Sequence, residues 1–247
     1  SDEKVNENEF PDLEKFILHR LWEIDQIILE CIKNFNFHLM FTTLLNFCSN
    51  DLSAFYFDIR KDVIYCDNFK SLTRRSSRTT LYHIFNYLVR WFAPSLSFTA
   101  EEAWKAIGNK NSIHLEDFLT CNDSYSNQLI NEKWILIKNI RKVLTGAIEK
   151  IREEKIIRSS LEAHLDIYLD KETLSKVEGV AFDEISIISS FKLHLLDSNT
   201  DGFTITELQN VKVRVSKVNG EKCQRCWKYE ENLINNEICN RCNNAIS

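Results

Sequence analysis

The fold at the end of this chain is decided by the stretch Gly220-Glu-Lys-Cys223-Gln-Arg-Cys226-Trp-Lys-Tyr229 and by its continuation Ile238-Cys239-Asn-Arg-Cys242. The four cysteines form two C-x2-C pairs that are separated by twelve residues. Each short pair can turn both of its sulfurs towards one metal ion, and the residues between the pairs can form a hairpin that brings them together. The spacing therefore predicts a zinc ribbon with the ligands Cys223, Cys226, Cys239 and Cys242.

The predicted metal is one structural zinc ion. Four thiolate ligands close the coordination shell, so no position is left for a substrate. A segment this short has too little apolar content to fold alone, and metal binding would supply its folding free energy. Disulfide bonds or unrelated free thiols are the alternative, which the regular spacing disfavours. The remaining cysteines have no close partner in the sequence and are interpreted as small hydrophobic residues: Cys31, Cys48, Cys66 and Cys121.

The predicted ribbon is also basic and aromatic. A zinc ion with four thiolates carries formal negative charge, which neighbouring cations can offset. Those cations are Lys222, Arg225, Lys228 and Arg241. Trp227 offers a flat surface that can stack on a nucleic-acid base. It can equally well cover the metal site as part of a small core, and the sequence leaves both interpretations open.

The residues immediately before the ribbon, 159–218, predict a small α+β junction domain. Their apolar side chains alternate with polar ones in short runs, which is typical of half-buried strands. The predicted elements are strands at Ala163–Leu169, Ile185–Ile188, Phe191–Leu195 and Val211–Val215, and a small helix at Lys171–Glu178.

Residues 1–158 predict a bundle of helices. Their apolar side chains recur at helical spacing in four long runs, and a shorter run follows a capping box at Thr99-Ala-Glu-Glu102. The predicted helices are Leu13–Leu29, Asn36–Tyr65, Leu72–Phe92, Thr99–Ile107 and Gln128–Ile157. The fold class is therefore mainly α, with a helical bundle, a small α+β unit and a ribbon at 219–247.

Composition excludes several classes of function. The 247 residues are 44% hydrophobic with a formal net charge of −5, which argues against bulk attraction to nucleic acid. No run of 18 apolar residues predicts a membrane span, and the polar opening Ser1–Glu9 is unlike a signal peptide, so we expect a cytoplasmic protein. A Gly-rich phosphate loop, a nucleophile elbow and a metalloprotease helix are absent, and the six histidines show no catalytic spacing. The sequence predicts no catalytic residue.

Two segments are nevertheless strongly basic. Ser71–Arg90 contains four arginines and no acidic residue, and Lys133–Arg158 contains eight basic and three acidic residues. A solvated helix face is the ordinary interpretation of either segment alone. Their occurrence together with an aromatic zinc ribbon favours a nucleic-acid partner instead.

Seven stretches carry a resemblance to a known family, and together they are highly specific. They are Leu52-Ser-Ala-Phe-Tyr-Phe-Asp-Ile-Arg-Lys-Asp62, Arg74-Arg75, Leu81-Tyr-His-Ile84, Leu88-Val-Arg-Trp-Phe-Ala-Pro94, Leu96-Ser-Phe-Thr-Ala-Glu-Glu-Ala-Trp104, Ser159-Ser-Leu-Glu-Ala163 and Gly220-Glu-Lys-Cys-Gln-Arg-Cys-Trp227. The chain resembles the C-terminal region of bacterial-type isoleucyl-tRNA synthetases. The valine and leucine enzymes look similar in the bundle but do not end in this ribbon.

The resemblance implies that the bundle is an anticodon-binding domain, that the small α+β unit and the zinc ribbon lie against the anticodon arm, and that the partner is tRNA(Ile). It also implies a catalytic core using ATP and magnesium and an editing domain, both in cis and outside this sequence, because the HIGH and KMSKS motifs are absent. We expect a monomer, with no membrane partner, that does not aminoacylate by itself. Phosphate contacts are expected from Arg74, Arg75 and Arg78, and from Lys61 and Arg158. Contacts nearer the anticodon loop are expected from Arg225, Trp227 and Lys228.

Three alternatives remain open at this point. The ribbon could be a DNA-binding or protein-binding module, since similar four-cysteine ribbons occur in DNA-repair glycosylases. It could also brace the α+β unit without touching RNA. A complete metalloenzyme is the third alternative, and the closed thiolate shell speaks against it.

Overall fold

The computed structural model describes residues 4–246. The chain divides into two compact units, one formed by Ser1–Arg60 with Phe69–Ile130 and the other by Lys61–Asn68 with Asn131–Ser247. The predicted division into domains at 1–158, 159–218 and 219–247 stays a prediction. No helix among the described residues is both long and apolar enough to cross a membrane.

The first unit is helical. Its helices are α1 (Asp12–Lys33), α2 (Phe37–Asn46), the first residues of α3 (Asp58–Cys66), α4 (Leu72–Phe92), α5 (Ser97–Ala106) and the start of α6 (Gln128–Glu153). A π-helical segment, Phe47–Phe57, joins α2 to α3. The mainly helical fold class is confirmed.

A buried ion pair lies inside the first unit. The guanidinium of Arg60 donates to both carboxylate oxygens of Glu14, at 2.6 and 2.7 Å. The hydroxyls of Tyr56 and Ser77 donate to the same carboxylate at 3.2 and 2.9 Å. Because Glu14 is fully buried among the apolar residues of α1, this set of donors is what makes its charge tolerable there.

Two helix predictions have different outcomes. The predicted helix Leu72–Phe92 is confirmed, with the Ser71 side chain accepting from the Arg74 amide at its start. The predicted capping box at Thr99 is wrong, because α5 already begins at Ser97. The Glu101 carboxylate instead accepts from the Ile113 amide at 2.9 Å and from the Ser112 hydroxyl at 2.8 Å, so it holds the following loop.

The second unit contains a three-stranded sheet in the order β2-β1-β3. Its strands are β1 (Ala163–Leu169), β2 (Ser190–Leu195), which is parallel to β1, and β3 (Val211–Lys217), which is antiparallel to β1. Alternate residues of β1 are fully buried. The helix α7 (Lys171–Lys176) follows β1, as predicted.

The predicted strand Ile185–Ile188 is wrong. The chain forms a short helix there, α8 (Phe182–Ile185), followed by a turn in which Ile187 has a φ of 55°. Phe182 and Ile185 are both buried, and their spacing of three places them on one helix face. Asp183 and Glu184 in the first turn also favour a helix start over a strand.

Candidate metal centre and nucleic-acid interface

The four predicted metal ligands come together. The sulfurs of Cys223, Cys226, Cys239 and Cys242 all lie within 4.8 Å of one another, and all four residues are buried. The sulfurs of Cys226 and Cys239 are 3.7 Å apart. A zinc–sulfur bond of about 2.3 Å in tetrahedral geometry requires sulfurs about 3.8 Å apart, so this donor set fits a tetrahedral ion.

Backbone hydrogen bonds form the loops that hold these sulfurs. The short strands β4 (Glu221–Lys222) and β5 (Tyr229–Glu230) pair across the first C-x2-C turn. The Trp227 amide donates to the Cys223 carbonyl at 2.9 Å. The predicted hairpin between the pairs turns at Asn235 and Asn236, which both adopt the left-handed conformation that asparagine tolerates. The second pair then leads into α9 (Asn240–Ile246).

One glycine is required by this geometry. Gly220 has a φ of +116°, and a Cβ atom placed there would lie 2.4 Å from the carbonyl oxygen of Glu230. Only glycine lets the chain enter β4 so close to β5.

Backbone amides also favour the thiolate form of one of the four cysteines. Burial opposes ionisation of Cys223, but amide donors from Cys226, Cys239 and Arg225 lower the pKa of this thiol to about 6. For Cys226, burial is the largest cause and raises the pKa above its ordinary value. A metal ion that binds all four sulfurs must therefore displace a proton from Cys226 in particular. When bound, the ion would supply a fixed cross-link between the two C-x2-C turns.

Two arginines fix the ribbon to the end of α3. The Arg225 guanidinium donates to the backbone carbonyls of Cys66 and Tyr65, and its hydrogen bond to the Cys242 sulfur raises the pKa of Arg225. Arg241 forms a bidentate pair with the Asp62 carboxylate at 2.7 and 2.9 Å. Both arginines therefore attach the ribbon to α3, and Arg225 also contacts a ligand sulfur, where a cation is predicted to offset the thiolate charge.

Sequence reasoning missed the α3 side of this attachment. Cys66 was interpreted as a small hydrophobic residue, and it is buried within the cysteine cluster itself. Burial, with help from Asp62, raises the pKa of the Cys66 thiol to about 11, so it stays protonated beside the metal ligands. Asp62 and Asp67 supply the carboxylates opposite Arg241. The only available signal was a pair of acidic residues flanking a cysteine, which is too weak to predict such a contact.

The ribbon is also fixed to the α+β part of its unit. The ammonium group of Lys228 pairs with the Asp183 carboxylate at 2.7 Å and keeps only 15% of its side chain exposed. The Tyr229 amide donates to the Ser189 hydroxyl at 2.7 Å. The positive charge of Lys228 is thus partly neutralised by α8.

Trp227 does not cover the metal site. Its side chain is 59% exposed, and the Lys222 ammonium lies 4.9 Å from the centre of its ring. The residue has a φ of 67°, which is an uncommon conformation for a bulky side chain. Of the two interpretations left open by the sequence, exposure favours a stacking surface over a core residue.

The predicted phosphate contacts on α4 lie at its first turns. Arg74 and Arg75 are half-buried, and Arg75 donates to the Lys4 carbonyl at 3.5 Å. Arg78 is exposed one turn further on. The positive end of the helix dipole adds to these charges. Arg90, which was counted in the same basic segment, is buried and paired with Glu116 at 2.9 Å, so it adds nothing to an exposed face.

The other predicted contacts are dispersed within the second unit. Lys61 lies exposed on α3, and Arg158 is exposed after α6. Within the second basic segment, Arg141 donates to the Ile185 carbonyl at 2.8 Å and Arg152 pairs with Glu149 at 2.6 Å. Arg141 and Arg152 therefore bind groups of their own unit, so fewer cations of this segment are available to contact RNA than the sequence indicates.

Comparisons with known protein families agree with this architecture. Residues 14–169 match the family described as the anticodon-binding domain of tRNA ligase. The match covers more than half of the chain, from α1 to the end of β1.

Similar proteins extend the match through the ribbon. The chain is 41% identical over 240 residues to an isoleucine--tRNA ligase of Pelagibacter ubique, which covers 97% of this chain and 25% of that protein. It is 40% identical over 94% of its length to the same ligase of Bartonella quintana and 38% identical over 99% to that of Zymomonas mobilis. The chain spans about a quarter of the length of these curated relatives. These matches confirm the resemblance to the C-terminal region of isoleucyl-tRNA synthetases. The chain belongs to the family of anticodon-binding domains of tRNA ligases.

Proposed function

We propose that this chain is the tRNA-binding part of a class I isoleucine--tRNA ligase and holds tRNA(Ile) through its anticodon arm. The observation that carries the proposal is the continuous similarity to isoleucine--tRNA ligases, which runs through both the helices and the ribbon. Catalytic and editing domains in cis would use ATP and magnesium to aminoacylate the tRNA. The chain itself has no catalytic role in this proposal, and it works in the cytoplasm as part of a monomeric enzyme.

In this proposal the helices hold the RNA backbone. Arg74, Arg75 and Arg78 lie where the α4 dipole favours anions, and phosphates are the groups that such a site attracts. Lys61 and Arg158 are exposed on the second unit, and they are proposed to contact further phosphates of the RNA. Backbone contacts of this kind position an RNA without reading its sequence.

The ribbon is proposed to hold unpaired anticodon bases. Loop bases can be splayed out and stacked on aromatic rings, and the exposed Trp227 is the ring that supports this role best. Arg225 and Lys228 would contact RNA only with donors left over from their carbonyl and carboxylate partners. The four cysteines are proposed to bind one structural zinc ion, since thiolates in tetrahedral array select zinc.

The proposal is tested by titrating the purified chain with fluorescent tRNA(Ile) and with an unrelated tRNA at the same salt concentration. We expect tighter binding of tRNA(Ile), together with one zinc ion per chain by elemental analysis. Equal affinity for the two tRNAs would sink anticodon-specific recognition by this chain.

A second candidate is that the ribbon only braces its unit. It is favoured by the number of ribbon side chains that bind other parts of the same unit, among them Arg225, Arg241 and Lys228. Under this alternative, replacing Trp227 leaves both the zinc content and the tRNA affinity unchanged.

A further inference from the structure

Three polar side chains of α1 bind a single loop, formed by residues 121–127. His19, Trp22 and Asp25 follow one another at intervals of three residues, so each is the neighbour of the next on the helix surface. The Nε1 group of Trp22 donates to the Asp123 carboxylate at 3.2 Å. The loop lies between α5 and α6, and it belongs to the first unit together with α1.

The other two side chains hold the two ends of this 121–127 loop. At its start, the Asp25 carboxyl group accepts a hydrogen bond from the Cys121 amide at 3.1 Å. At its end, the Nδ1 atom of His19 accepts from the Asn127 amide at 3.0 Å. Both His19 and Asp25 are buried, so the loop covers the side chains that bind it.

Asn127 connects the loop to the next helix. Its backbone amide binds His19 on α1, while its side-chain Oδ1 atom accepts from the Ile130 amide at 3.0 Å, in the first turn of α6. An asparagine in this position caps a helix, because it satisfies one of the amides that have no partner inside the helix. Loss of the bond to His19 would therefore free the residue that caps α6.

His19 can accept this hydrogen bond only as a neutral ring. An amide N–H can donate to Nδ1 only when this nitrogen carries no proton, so the proton of the neutral ring must be on Nε2. An imidazolium carries a proton on both nitrogens, and its Nδ1–H would point at the Asn127 N–H. Only 2% of the His19 side chain is exposed, so water can replace the lost bond only if the loop moves away.

The groups around His19 act on its protonation in opposite directions. Burial is the largest influence and lowers the pKa of His19, and the charge of Arg20 lowers it further. Glu23, whose carboxylate lies 3.5 Å from Nε2, and the backbone of Tyr125 raise it, but the pKa remains below its ordinary value of 6.5. An opened loop thus binds the proton more readily than a closed one. The closed loop is therefore fully stable above about pH 6.5 and loses stability as the pH falls below that value.

Other titratable groups near the loop have the opposite effect. The Glu7 carboxylate accepts from the Tyr125 hydroxyl at 2.6 Å and lies 3.1 Å from His83 Nε2, so protonation of His83 strengthens this contact. Burial raises the pKa of Asp25, whose Oδ1 atom has no hydrogen-bond partner among the described residues. Protonation of Asp25 removes a buried charge. Neither His83 nor Asp25 would open the loop in acid, whereas His19 would.

We propose that His19 is a pH-sensitive latch: its neutral ring holds the 121–127 loop against α1 and keeps the cap of α6 in place, and its protonated ring releases both. The proposal is independent of the proposed function, because it concerns one loop of the first unit and no ligand. The loop is closed at neutral pH and opens in mild acid, and the first turn of α6 loosens with it.

The first test uses the unmodified chain. Nitrogen-15 NMR of the imidazole at neutral pH should show that His19 is neutral with its proton on Nε2. Protection of the Asn127 amide against hydrogen exchange, corrected for the intrinsic effect of pH, should fall about tenfold or more from about pH 7.5 to about pH 5. Amides in the middle of α4 report global unfolding and should stay protected. A proton on Nδ1, or equal protection of Asn127 at both pH values, would overturn the latch.

The second test separates His19 from the other titratable groups. His19→Asn places an amide oxygen where Nδ1 lies and cannot titrate, so the Asn127 amide should stay protected at both pH values. His19→Ala removes the acceptor, and the Asn127 amide should lose about tenfold or more of its protection at both pH values. The matched control is His38→Asn at an exposed histidine of α2, which should keep the pH response of the unmodified chain.

The variants can also contradict the proposal. If His19→Asn opens in acid as the unmodified chain does, another group causes the response and the latch is overturned. If neither His19 variant folds, as judged from exchange in α4, the unmodified chain decides by two titration midpoints. The midpoint of the His19 ring resonances must coincide with that of Asn127 exchange, and different midpoints overturn the latch.

Discussion

The helical unit and the ribbon hold charged groups in place by opposite means. The helical unit surrounds the Glu14–Arg60 pair with large buried apolar side chains from several helices. The ribbon has hardly any core beyond its own cysteines, Cys66 and the partly buried Leu233 and Ile238. The first unit is therefore stabilised by burial of apolar surface, whereas we propose that the ribbon depends on a metal ion and on its attachment to α3 and α8. The following predictions test this difference.

Loss of the metal should produce the largest effect. In Cys242→Ser one of four thiolates is missing, and structural zinc contributes about 10–16 kcal/mol to the folding of comparable peptides. We expect zinc binding to be abolished and amide hydrogen exchange to become fast in β4, β5 and α9, while α1 and α4 remain protected. Cys48→Ser, at a half-buried cysteine outside the cluster, should leave both regions protected. A ribbon whose amides stay protected in Cys242→Ser would show that the ribbon does not need metal to fold.

The helical unit should respond most strongly to an unpaired buried charge. In Arg60→Met the Glu14 carboxylate loses its partner while it remains fully buried, which costs about 3–5 kcal/mol of stability. Urea unfolding measures this loss, and zinc content should not change. The control is Arg152→Met, which breaks an exposed pair with Glu149 and should cost less than about 1 kcal/mol. Equal losses in the two variants would show that the buried pair has no special role.

Sequence alone predicts the parts of both regions that depend on local spacing. The two C-x2-C pairs specify their metal site because four sulfurs on two short turns have few other arrangements. The limits of α4 are predictable because Ser71 caps its start and Pro94 prevents its continuation. Exposure of Trp227 was not predictable, since a ring next to a metal ligand can face either way.

Contacts between distant segments could not be predicted. Arg225 binds carbonyls of Tyr65 and Cys66, which lie about 160 residues earlier in the chain. The three-stranded sheet depends on the register of its strands, and no local pattern specifies which polar residues of β2 and β3 flank β1. The segment Ile185–Ile188 shows the same difficulty. Its three isoleucines and one serine favour a strand locally, but the buried Phe182 begins a short helix that includes Ile185.

A single glycine should link ribbon geometry to metal retention. Gly220→Ala places a Cβ atom 2.4 Å from a backbone carbonyl oxygen in addition to straining a positive φ. Gly108→Ala is a matched control, since its φ is +92° and nothing lies within 4 Å of the added atom. Left-handed strain costs about 1–3 kcal/mol at either site, but only Gly220→Ala should also release zinc more readily to a competing chelator. Similar zinc retention in the two variants would mean that the entry to β4 adapts without affecting the metal site.

Replacement of Trp227 should have the smallest effect on stability and a large effect on RNA affinity. Trp227 adopts a left-handed conformation that glycine would adopt without strain, and its side chain is mostly exposed. Trp227→Gly should therefore keep its zinc and change the free energy of unfolding by less than about 1 kcal/mol, because relief of strain offsets added chain entropy. Affinity for an anticodon stem-loop should nevertheless fall about fivefold to a hundredfold, the range for losing one stacked base.

The matched control for this last prediction is Phe98→Gly. Phe98 is 92% exposed, but it lies inside α5 and not on the ribbon, so its loss should lower stability through helix propensity and leave RNA affinity unchanged. Fluorescence titration and urea unfolding of both variants give four values. If Trp227→Gly weakens RNA binding but leaves folding unchanged, Trp227 is a binding residue. If it instead lowers zinc retention and stability, Trp227 supports the metal site, and the ribbon only braces its unit.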